Sequence, residues 1–290
     1  MDQAAGLRNA LRERNNAEHA KARVITVTSG KGGVGKSNVA VNMAVQLRKR
    51  GKRVIIFDAD IGLANVEVMF GSIPKYNLSD LIYRGRSIKD IITPGPIDIG
   101  FISGGSGIVG LNNLNRDQLT FLIKSLTELD QLTDVVIIDT GAGISDSVLE
   151  FVLASPEVLL VTTPEPSSLT DSYSLMKALY KSPDFKEQGT KVRLIANKAQ
   201  STEEGLAVYD KLEAVVRQFL HGEISYLGLI PQDTALEKAV RAQKTVSLYS
   251  PESRSARAFE LLAKNLLNEE SESFVIRRGI AGMLTGIFTR

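Results

Sequence analysis

Residues 30–37 read GKGGVGKS, a run whose residue types and spacing can bind a nucleoside triphosphate. The form G-x-x-x-x-G-K-S is that of a phosphate-binding loop: its glycines let backbone N–H groups close around phosphate oxygens, and the following helix N-terminus adds partial positive charge. We expect Lys36 to reach the β- and γ-phosphates and Ser37 to ligate Mg²⁺. The expected nucleotide contacts in this stretch are Gly30, Lys31, Gly32, Gly33, Val34, Gly35, Lys36, Ser37 and Asn38.

Acidic residues at the ends of two apolar runs can supply the metal and water chemistry that a triphosphate site needs. Asp58 and Asp60 follow the run 53–57, and such a pair can organise water and Mg²⁺, which takes hard oxygen ligands. Asp139 ends the run 135–138, the Walker B arrangement in which a carboxylate holds Mg²⁺ directly or through water. Solvated loop aspartates and a plain strand-ending turn are the alternative interpretations.

The order of elements predicts how these residues are positioned. Apolar, β-branched runs alternate with helix-like stretches, which indicates an α/β fold with a doubly wound, mainly parallel sheet flanked by helices. In such a sheet, ligands bind at the carboxyl ends of the strands, where the loop and both acidic motifs fall. The predicted strands are 24–28, 53–57, 97–102, 135–138, 158–162, 192–196 and 224–229, and the predicted helices include 36–50, 116–132, 168–180, 203–220, 236–242 and 254–267.

Composition excludes several classes of site. The 290 residues suffice for one or two domains with a well-buried core, and a net charge of +2 gives no strong basic field for nucleic acid. The chain has no cysteine, which excludes a disulfide framework and a thiolate-ligated iron–sulfur cluster. The charged N-terminal residues and the lack of a long apolar run predict a cytoplasmic protein.

The spelling K-G-G-V-G-K-S, with a second lysine at Lys31, resembles the deviant Walker A family of ATPases that includes MinD and ParA. The resemblance implies a P-loop NTPase of MinD-like fold that uses ATP/ADP and Mg²⁺. In that family Lys31 would reach across an ATP-bound homodimer to the partner's phosphates, as an arginine finger does in trans. A lysine that is merely exposed is the alternative.

The resemblance also assigns the remaining site residues. Residues 58–65 are similar to the family's D-x-D-I-G-L-x-N switch, which implies that Asp60 orients the attacking water and Asp58 supports the Mg²⁺ shell. Asn197 is expected to bond the adenine edge and the 231–233 loop to line the base pocket, although asparagine after a strand is also a common turn residue. The segment 162–165 and the helix beginning near Ser168 are expected to face the dimer or another partner. The implied catalytic residues are Lys31, Lys36, Asp60 and Asp139, the metal ligands are Ser37, Asp58 and Asp139, and the base-pocket residues are Asn197, Pro231 and Asp233.

The N-terminal residues carry a second motif, D-Q-A-x-x-L-R, formed by Asp2, Gln3, Ala4, Leu7 and Arg8. Its apolar face is too short for a stable helix on its own, so we expect it to order on a partner; a frayed tail is the alternative. The motif resembles the activator motif of the FlhG family (also YlxH or FleN), MinD-like flagellar regulators. That resemblance implies docking on the GTPase FlhF, its stimulation through Gln3, and contact with flagellar switch (C-ring) proteins.

An apolar stripe at helical spacing occupies the C-terminal residues, with arginines beside it. Weak helix propensity, one apolar face and basic flanks suit reversible binding to an anionic membrane surface, as in the C-terminal amphipathic helix of MinD-type proteins. The alternative is a helix that packs on the protein's own core, and the two states could alternate with the nucleotide. The residues of the stripe are Ile276, Ile280, Met283, Leu284, Ile287 and Phe288.

These observations divide the chain into three segments: 1–23 for partner binding and GTPase activation, 24–268 for the MinD-like ATPase domain, and 269–290 for the membrane-targeting helix. The expected function is an Mg²⁺-dependent ATPase that switches a homodimer, regulates flagellar number and placement, and binds peripherally at the inner face of the cell membrane, with no specific nucleic acid. The alternatives are a ParA-type DNA partition ATPase, a MinD-type division regulator, which normally begins almost at its first strand, and a metabolic kinase or synthetase.

Overall fold

The computed structural model describes residues 21–60, 65–105, 116–183, 185, 189–272, 279, 280 and 283. Within these residues eight strands form one sheet in the order β3-β4-β2-β5-β1-β6-β7-β8, and every neighbouring pair is parallel except β3 with β4. The predicted doubly wound, mainly parallel sheet is confirmed. The strands are β1 (Arg23–Thr28), β2 (Val54–Ala59), β3 (Thr93–Pro94), β4 (Gly100–Ser103), β5 (Val135–Thr140), β6 (Glu157–Thr162), β7 (Lys191–Ala199) and β8 (Ser225–Pro231).

Helices cover both faces of the sheet, as the long parallel crossovers require. Within the described residues they are α1 (Lys36–Lys49), α2 (Asn65–Phe70), α3 (Leu78–Arg84), α4 (Ile88–Ile91), α5 (Arg116–Thr127), α6 (Leu129–Leu132), α7 (Asp146–Ala154), α8 (Pro166–Lys181), α9 (Thr202–Val215), α10 (Thr234–Arg241), α11 (Val246–Tyr249) and α12 (Arg254–Glu272). No helix in this part of the chain is long and apolar enough to cross a membrane.

The apolar runs became buried strands because side chains alternate across a strand and both faces are covered. In β5, Val135 and Ile137 pack in the cluster that contains the apolar residues of α1, whereas Val136 and Ile138 pack in the cluster on the opposite face, with α5 and α6. All six residues of β5 are buried. The central strands therefore form a rigid base for the loops at their carboxyl ends.

A buried ion triad of Arg23, Glu157 and Arg193 lies at the edge of the sheet where β1, β6 and β7 begin. Arg23 donates to both carboxylate oxygens of Glu157 at 2.8 Å, and Arg193 donates to the same carboxylate at 3.1 Å. All three side chains are at most 3% exposed. Removing one member of this ion triad would leave an uncompensated buried charge, so the three side chains depend on one another.

The predicted elements differ from the observed ones mainly at their ends. The strand predicted at 97–102 begins only at Gly100, because a 3₁₀ turn at Pro96–Asp98 precedes it and a two-residue antiparallel strand, β3, lies before that turn. Pro94 and Pro96 lack the N–H that a continuous ladder needs. The predicted helix 116–132 is divided between α5 and α6, and the predicted helix 203–220 ends in a π turn at Val216–Leu220.

Candidate nucleotide-binding site

The loop between β1 and α1 has the backbone that phosphate binding needs. Gly33 and Gly35 adopt left-handed conformations, with φ of 75° and 97°, which residues with a Cβ rarely take. Gly35 caps α1 without a side-chain hydrogen bond, and the first turn of the helix carries no acidic residue. The N–H groups at the start of α1 therefore remain available for an anion.

Two glycines of the loop are required by their neighbours as well. A Cβ at Gly30 would overlap the backbone of α8 at Asp171 and Ser172, and a Cβ at Gly35 would overlap the side-chain amide of Asn197. Next to the loop, the N–H of Gly143 donates to the carbonyl of Ser29 at 2.9 Å. Close packing thus holds the loop against α8, β7 and the segment after β5.

Asp139 lies fully buried at the end of β5, beside Lys36 and Ser37. Burial raises the pKa of its carboxyl to about 7, although the Ser37 hydroxyl and the Lys36 charge oppose the rise. Within the described residues neither of its carboxylate oxygens has a partner at full hydrogen-bond distance and angle, so the Ser37 hydroxyl is near enough to lower the pKa but does not satisfy the carboxylate. A buried, unpartnered carboxylate is costly by itself, and a cation in front of it would satisfy both oxygens.

This arrangement fits Mg²⁺ at Asp139 and Ser37. Within the described ranges, no group of three or more His, Cys, Asp or Glu side chains forms a metal cluster. That is compatible with Mg²⁺, which is usually held by one or two side chains together with phosphate oxygens and water. Lys36 is mostly buried, and burial lowers the pKa of its ammonium group while the charges of Asp139 and Asp60 act to raise it.

Asp58 and Asp60 stand at the end of β2, next to β5. Each oxygen of Asp58 accepts a backbone N–H at 3.2 Å, from Asp60 and from Val66, so this carboxylate holds the turn as well as facing the metal region. Burial raises the pKa of Asp58 to about 7, and the charge of Asp139 adds to the rise. The role of Asp58 as a metal-shell residue stays a prediction.

Asn65, in α2, is a residue to which the sequence reasoning gave no role. Its side-chain amide donates to Oδ2 of Asp60 at 3.0 Å. The other oxygen of Asp60 faces the loop after β5, since a Cβ at Gly141 would lie 3.3 Å from it. Asn65 therefore fixes the orientation of Asp60. The sequence pattern that could have indicated this role is the D-x-D-I-G-L-x-N segment, of which Asn65 is the last residue.

Lys31 is paired within its own chain. Its ammonium group donates to Glu165 at 2.9 Å and to the Ser167 hydroxyl at 2.7 Å, at the start of α8. The Lys31 side chain is 36% exposed and that of Glu165 is 58% exposed. The hydrogen bond from Lys31, and its charge, hold the pKa of Glu165 below the ordinary value. The predicted reach of Lys31 across a dimer stays a prediction.

A cavity of about 370 Å³ opens beside the phosphate loop, and it brings the predicted base-pocket residues together. Gly33, Asn38, Asn197, Pro231 and Asp233 all line it. Its volume is in the usual range of ligand pockets.

Two polar residues of this cavity have further bonds. The Asn197 amide donates to the carbonyl of Val34 at 2.7 Å, and its oxygen accepts the N–H of Lys198 at 2.9 Å, so Asn197 also fastens the phosphate loop. The Asp233 carboxylate accepts N–H groups of Ala235 and Ser255, each at 2.9 Å. Asp233 thus caps α10 and ties it to α12, a structural task in addition to lining the pocket.

The terminal predictions fall mostly outside the described residues. Asp2, Gln3, Ala4, Leu7 and Arg8 lie there, as do Ile276, Leu284, Ile287 and Phe288. The two described members of the C-terminal stripe, Ile280 and Met283, are 0% and 1% exposed and belong to the core cluster on the α5 face. Their burial fits the alternative in which this stripe packs on the body.

Known proteins resemble this chain over most of its length. A family model described as "ParA: NUBPL iron-transfer P-loop NTPase" matches residues 20–267. The chain is 41% identical over 243 residues to the antiactivator FleN of Pseudomonas aeruginosa, covering 84% of this chain and 85% of FleN. It is 34% identical over 255 residues to the flagellum site-determining protein YlxH of Helicobacter pylori, covering 84% and 82%.

Solved structures extend the comparison to the fold. The cell division ATPase MinD of Pyrococcus furiosus superposes with a TM-score of 0.67 at 26% identity, covering 86% of this chain and 99% of MinD. MinD of Pyrococcus horikoshii, complexed with Mg-ADP, gives 0.67 at 24% identity, covering 87% and 98%. The predicted MinD-like fold is confirmed.

Proposed function

The chain belongs to the ParA family of P-loop ATPases and, within it, to the flagellar regulators represented by FleN and YlxH, and on this premise we propose that it acts as an ATP-switched homodimer that sets flagellar number and placement. The protein is an ATPase that binds ATP or ADP with Mg²⁺. The family model's description mentions iron transfer, but this chain has no cysteine with which to hold iron. The proposal concerns the dimer, the stimulation of FlhF and the membrane.

The observation that carries the ATPase mechanism is the buried, unpartnered carboxylate of Asp139 beside Lys36 and the phosphate loop. Ser37 and Asp139 would hold Mg²⁺, which would supply positive charge to neutralise the phosphates. Lys36 adds a second positive charge from a mostly buried position. Asp60 orients the attacking water, and Asn65 keeps the Asp60 carboxylate in place. Lys36 and the metal ligands are thus assigned to neutralising phosphate charge, whereas Asp60 and Asn65 are assigned to positioning the water.

Phosphate release by the full-length protein tests this division. The Asp60→Ala variant should lose turnover while it keeps its affinity for a fluorescent ATP analogue, because Asp60 is assigned to the water and not to the phosphates. Asp210→Ala, at an exposed position of α9, is the matched control and should retain both properties. Unchanged turnover in Asp60→Ala would contradict the assignment.

The dimer proposal rests on the second lysine of the loop, Lys31, and the pairing of Lys31 within its own chain does not prevent it. An exposed ion pair contributes little to stability, so Lys31 can leave Glu165 when a triphosphate offers more negative charge. With a non-hydrolysable ATP analogue, sedimentation equilibrium should give a dimer for the wild type and a monomer for Lys31→Ala. Lys211→Ala, which removes an exposed ammonium group of α9 away from the loop, is the control. Equal dimerisation of Lys31→Ala would refute the role of Lys31 in trans.

Stimulation of FlhF is proposed from the D-Q-A-x-x-L-R motif and from the flagellar relatives. The test is the GTPase rate of FlhF with the full-length wild type, with Gln3→Ala and with the control Asn16→Ala, which lies in the same segment but outside the motif. Gln3→Ala alone should lose stimulation. If the wild type does not stimulate FlhF, the proposal that FlhF is a partner is refuted, while the ATPase assignment is unaffected. The flagellar switch proteins would then be the next partners to test.

Peripheral membrane binding at the inner face of the cell membrane is proposed from the C-terminal stripe. Because Ile280 and Met283 are buried in the single chain, the stripe must leave the body before it can enter a lipid surface. Co-sedimentation with phosphatidylglycerol vesicles should be higher with ATP than with ADP. Equal co-sedimentation with the two nucleotides would contradict release by ATP. No specific nucleic acid is part of this proposal.

A further inference from the structure

Described residues of the N-terminal segment (1–23) and of the C-terminal segment (269–290) meet at one carboxylate, that of Asp130 in α6. Its Oδ1 accepts a hydrogen bond from the backbone N–H of Ala22 at 3.2 Å. The backbone N–H of Ile280 is close enough to the same carboxylate to lower its pKa, although burial raises that pKa overall. Ala22 lies directly before β1, and Ile280 lies beyond the end of α12. One half-buried carboxylate thus bonds the backbone before β1 and lies against the backbone at Gly279 and Ile280.

The contact on the C-terminal side is close. Gly279 adopts a left-handed conformation with φ of 67°, and a Cβ there would overlap the carboxylate of Asp130. Farther along, the Ser155 hydroxyl lies 3.6 Å from the sulfur of Met283. Ile280 and Met283 pack in the same core cluster as Ala22. The C-terminal segment therefore completes the part of the core from which the N-terminal segment leaves.

The neighbouring residue makes a second connection between the two ends. The guanidinium group of Arg23 donates to the carbonyl of Leu266, in α12, at 3.3 Å. Arg23 is held in that position by its ion pair with Glu157. Successive residues at the start of β1 thus contact α12 and, through Asp130, the segment beyond it.

We propose that Asp130 couples the two terminal segments, so that docking of the C-terminal segment on the body and ordering of the chain before β1 stabilise each other. When Ile280 and Met283 leave, water reaches Asp130 and competes for its bond to Ala22; a hydrogen bond that water can replace contributes less. Thermodynamic linkage makes the effect reciprocal. The biological consequence, which rests on the proposed function, is that a partner that orders the N-terminal segment favours docking of the C-terminal segment and so opposes its release toward lipid.

Hydrogen–deuterium exchange of the full-length protein without partner or lipid tests the coupling. Asp130→Asn replaces one acceptor oxygen by a donor, and Met283→Asp places a charge in the core and expels the C-terminal segment at a distance from the Ala22 bond. Both variants should increase exchange in the peptide containing Ala22 and in the peptide containing Ile280, by about ten-fold or more, the factor expected for losing a hydrogen bond to a charged group.

Matched controls separate coupling from general destabilisation. Glu128→Gln changes an exposed acid next to α6, and Ile73→Asp places the same charge at a side chain that is 92% exposed. Neither control should alter either peptide, and exchange in β6 and β7 should stay at the wild-type level in every variant. Increased exchange of only the C-terminal peptide in Met283→Asp, or of neither peptide in Asp130→Asn, would overturn the proposal.

Vesicle binding distinguishes this proposal from the proposed function. If both peptides open together in Met283→Asp and in Asp130→Asn, the coupling holds whether or not Asp130→Asn binds phosphatidylglycerol vesicles more strongly than Glu128→Gln in ADP. If binding does not increase, the membrane role fails while the coupling stands. If binding increases while only the C-terminal peptide opens, the membrane role stands and the coupling fails.

Discussion

Removing the charge of Asp139 should stabilise the nucleotide-free protein at alkaline pH, although it disables the site. The carboxyl is fully buried, and its pKa rises from 3.8 to about 7 because burial disfavours the charged form. Because the pKa of this acid is higher in the folded protein than in the unfolded chain, its ionisation destabilises the fold at pH values above the unfolded pKa of 3.8. That cost grows as the pH rises from about 4 to about 7 and is constant above.

The magnitude follows from the two pKa values. With 1.36 kcal/mol for each pKa unit, ionisation of Asp139 costs the folded state about 1.5 kcal/mol at pH 5 and about 4 kcal/mol at pH 8.5. Asparagine does not ionise and so has no such cost. A buried amide without a hydrogen-bond partner nevertheless lowers the free energy of unfolding by about 1–3 kcal/mol, and this effect does not depend on pH. The change in the free energy of unfolding caused by Asp139→Asn should therefore be about 2–3 kcal/mol more stabilising at pH 8.5 than at pH 5.

Reversible urea unfolding with EDTA and without nucleotide measures this difference. Asp210→Asn, at an exposed site, should give a change that is independent of pH. Because the charge of Asp139 also raises the pKa of Asp58, the measured pH dependence of stability reports the ionisation of both carboxyl groups together. Adding Mg²⁺ and ADP should reverse the order of stability, since only the wild type keeps its carboxylate for the metal. A difference that does not change between pH 5 and pH 8.5 would refute the assignment of a buried, unpartnered charge.

Three further substitutions test other parts of the structure. Glu157→Gln should destabilise the fold by roughly 3–5 kcal/mol in urea unfolding, because it leaves Arg23 and Arg193 buried with reduced compensation. Gly30→Ala should lower stability by roughly 1–3 kcal/mol, since its Cβ overlaps the backbone of α8; a wild-type melting temperature would contradict this close approach. Asn65→Ala should reduce turnover by about ten-fold with unchanged ATP affinity, because Asp60 loses its orienting bond; a change in affinity alone would contradict that role. The matched controls are, in the same order, Glu223→Gln and Gly32→Ala for stability and Gln200→Ala for turnover; Glu223 and Gln200 are exposed, and a Cβ at Gly32 has no neighbour closer than 4.0 Å.

Much of the fold and the site could be predicted because the signals are local in sequence. The strand–loop–helix context of residues 30–37 and the acidic ends of β2 and β5 need only a few neighbouring residues to be recognised. The seven longer strands were predicted because continuous apolar runs are typical of strands covered on both faces. The short edge strand β3 was missed, since its two residues carry no periodic pattern.

By itself, then, the sequence determined the chemistry of the site: a phosphate loop, its lysines, and carboxylates at the ends of parallel strands. The tertiary structure decided how much each group is perturbed and which other tasks it performs. The burial of Asp139, the bonds of Asp233 to α12 and the pairing of Lys31 with Glu165 join residues far apart in the chain. Such contacts depend on how the helices pack on the sheet, and the packing, not the local pattern, sets the desolvation and the partners of a polar group.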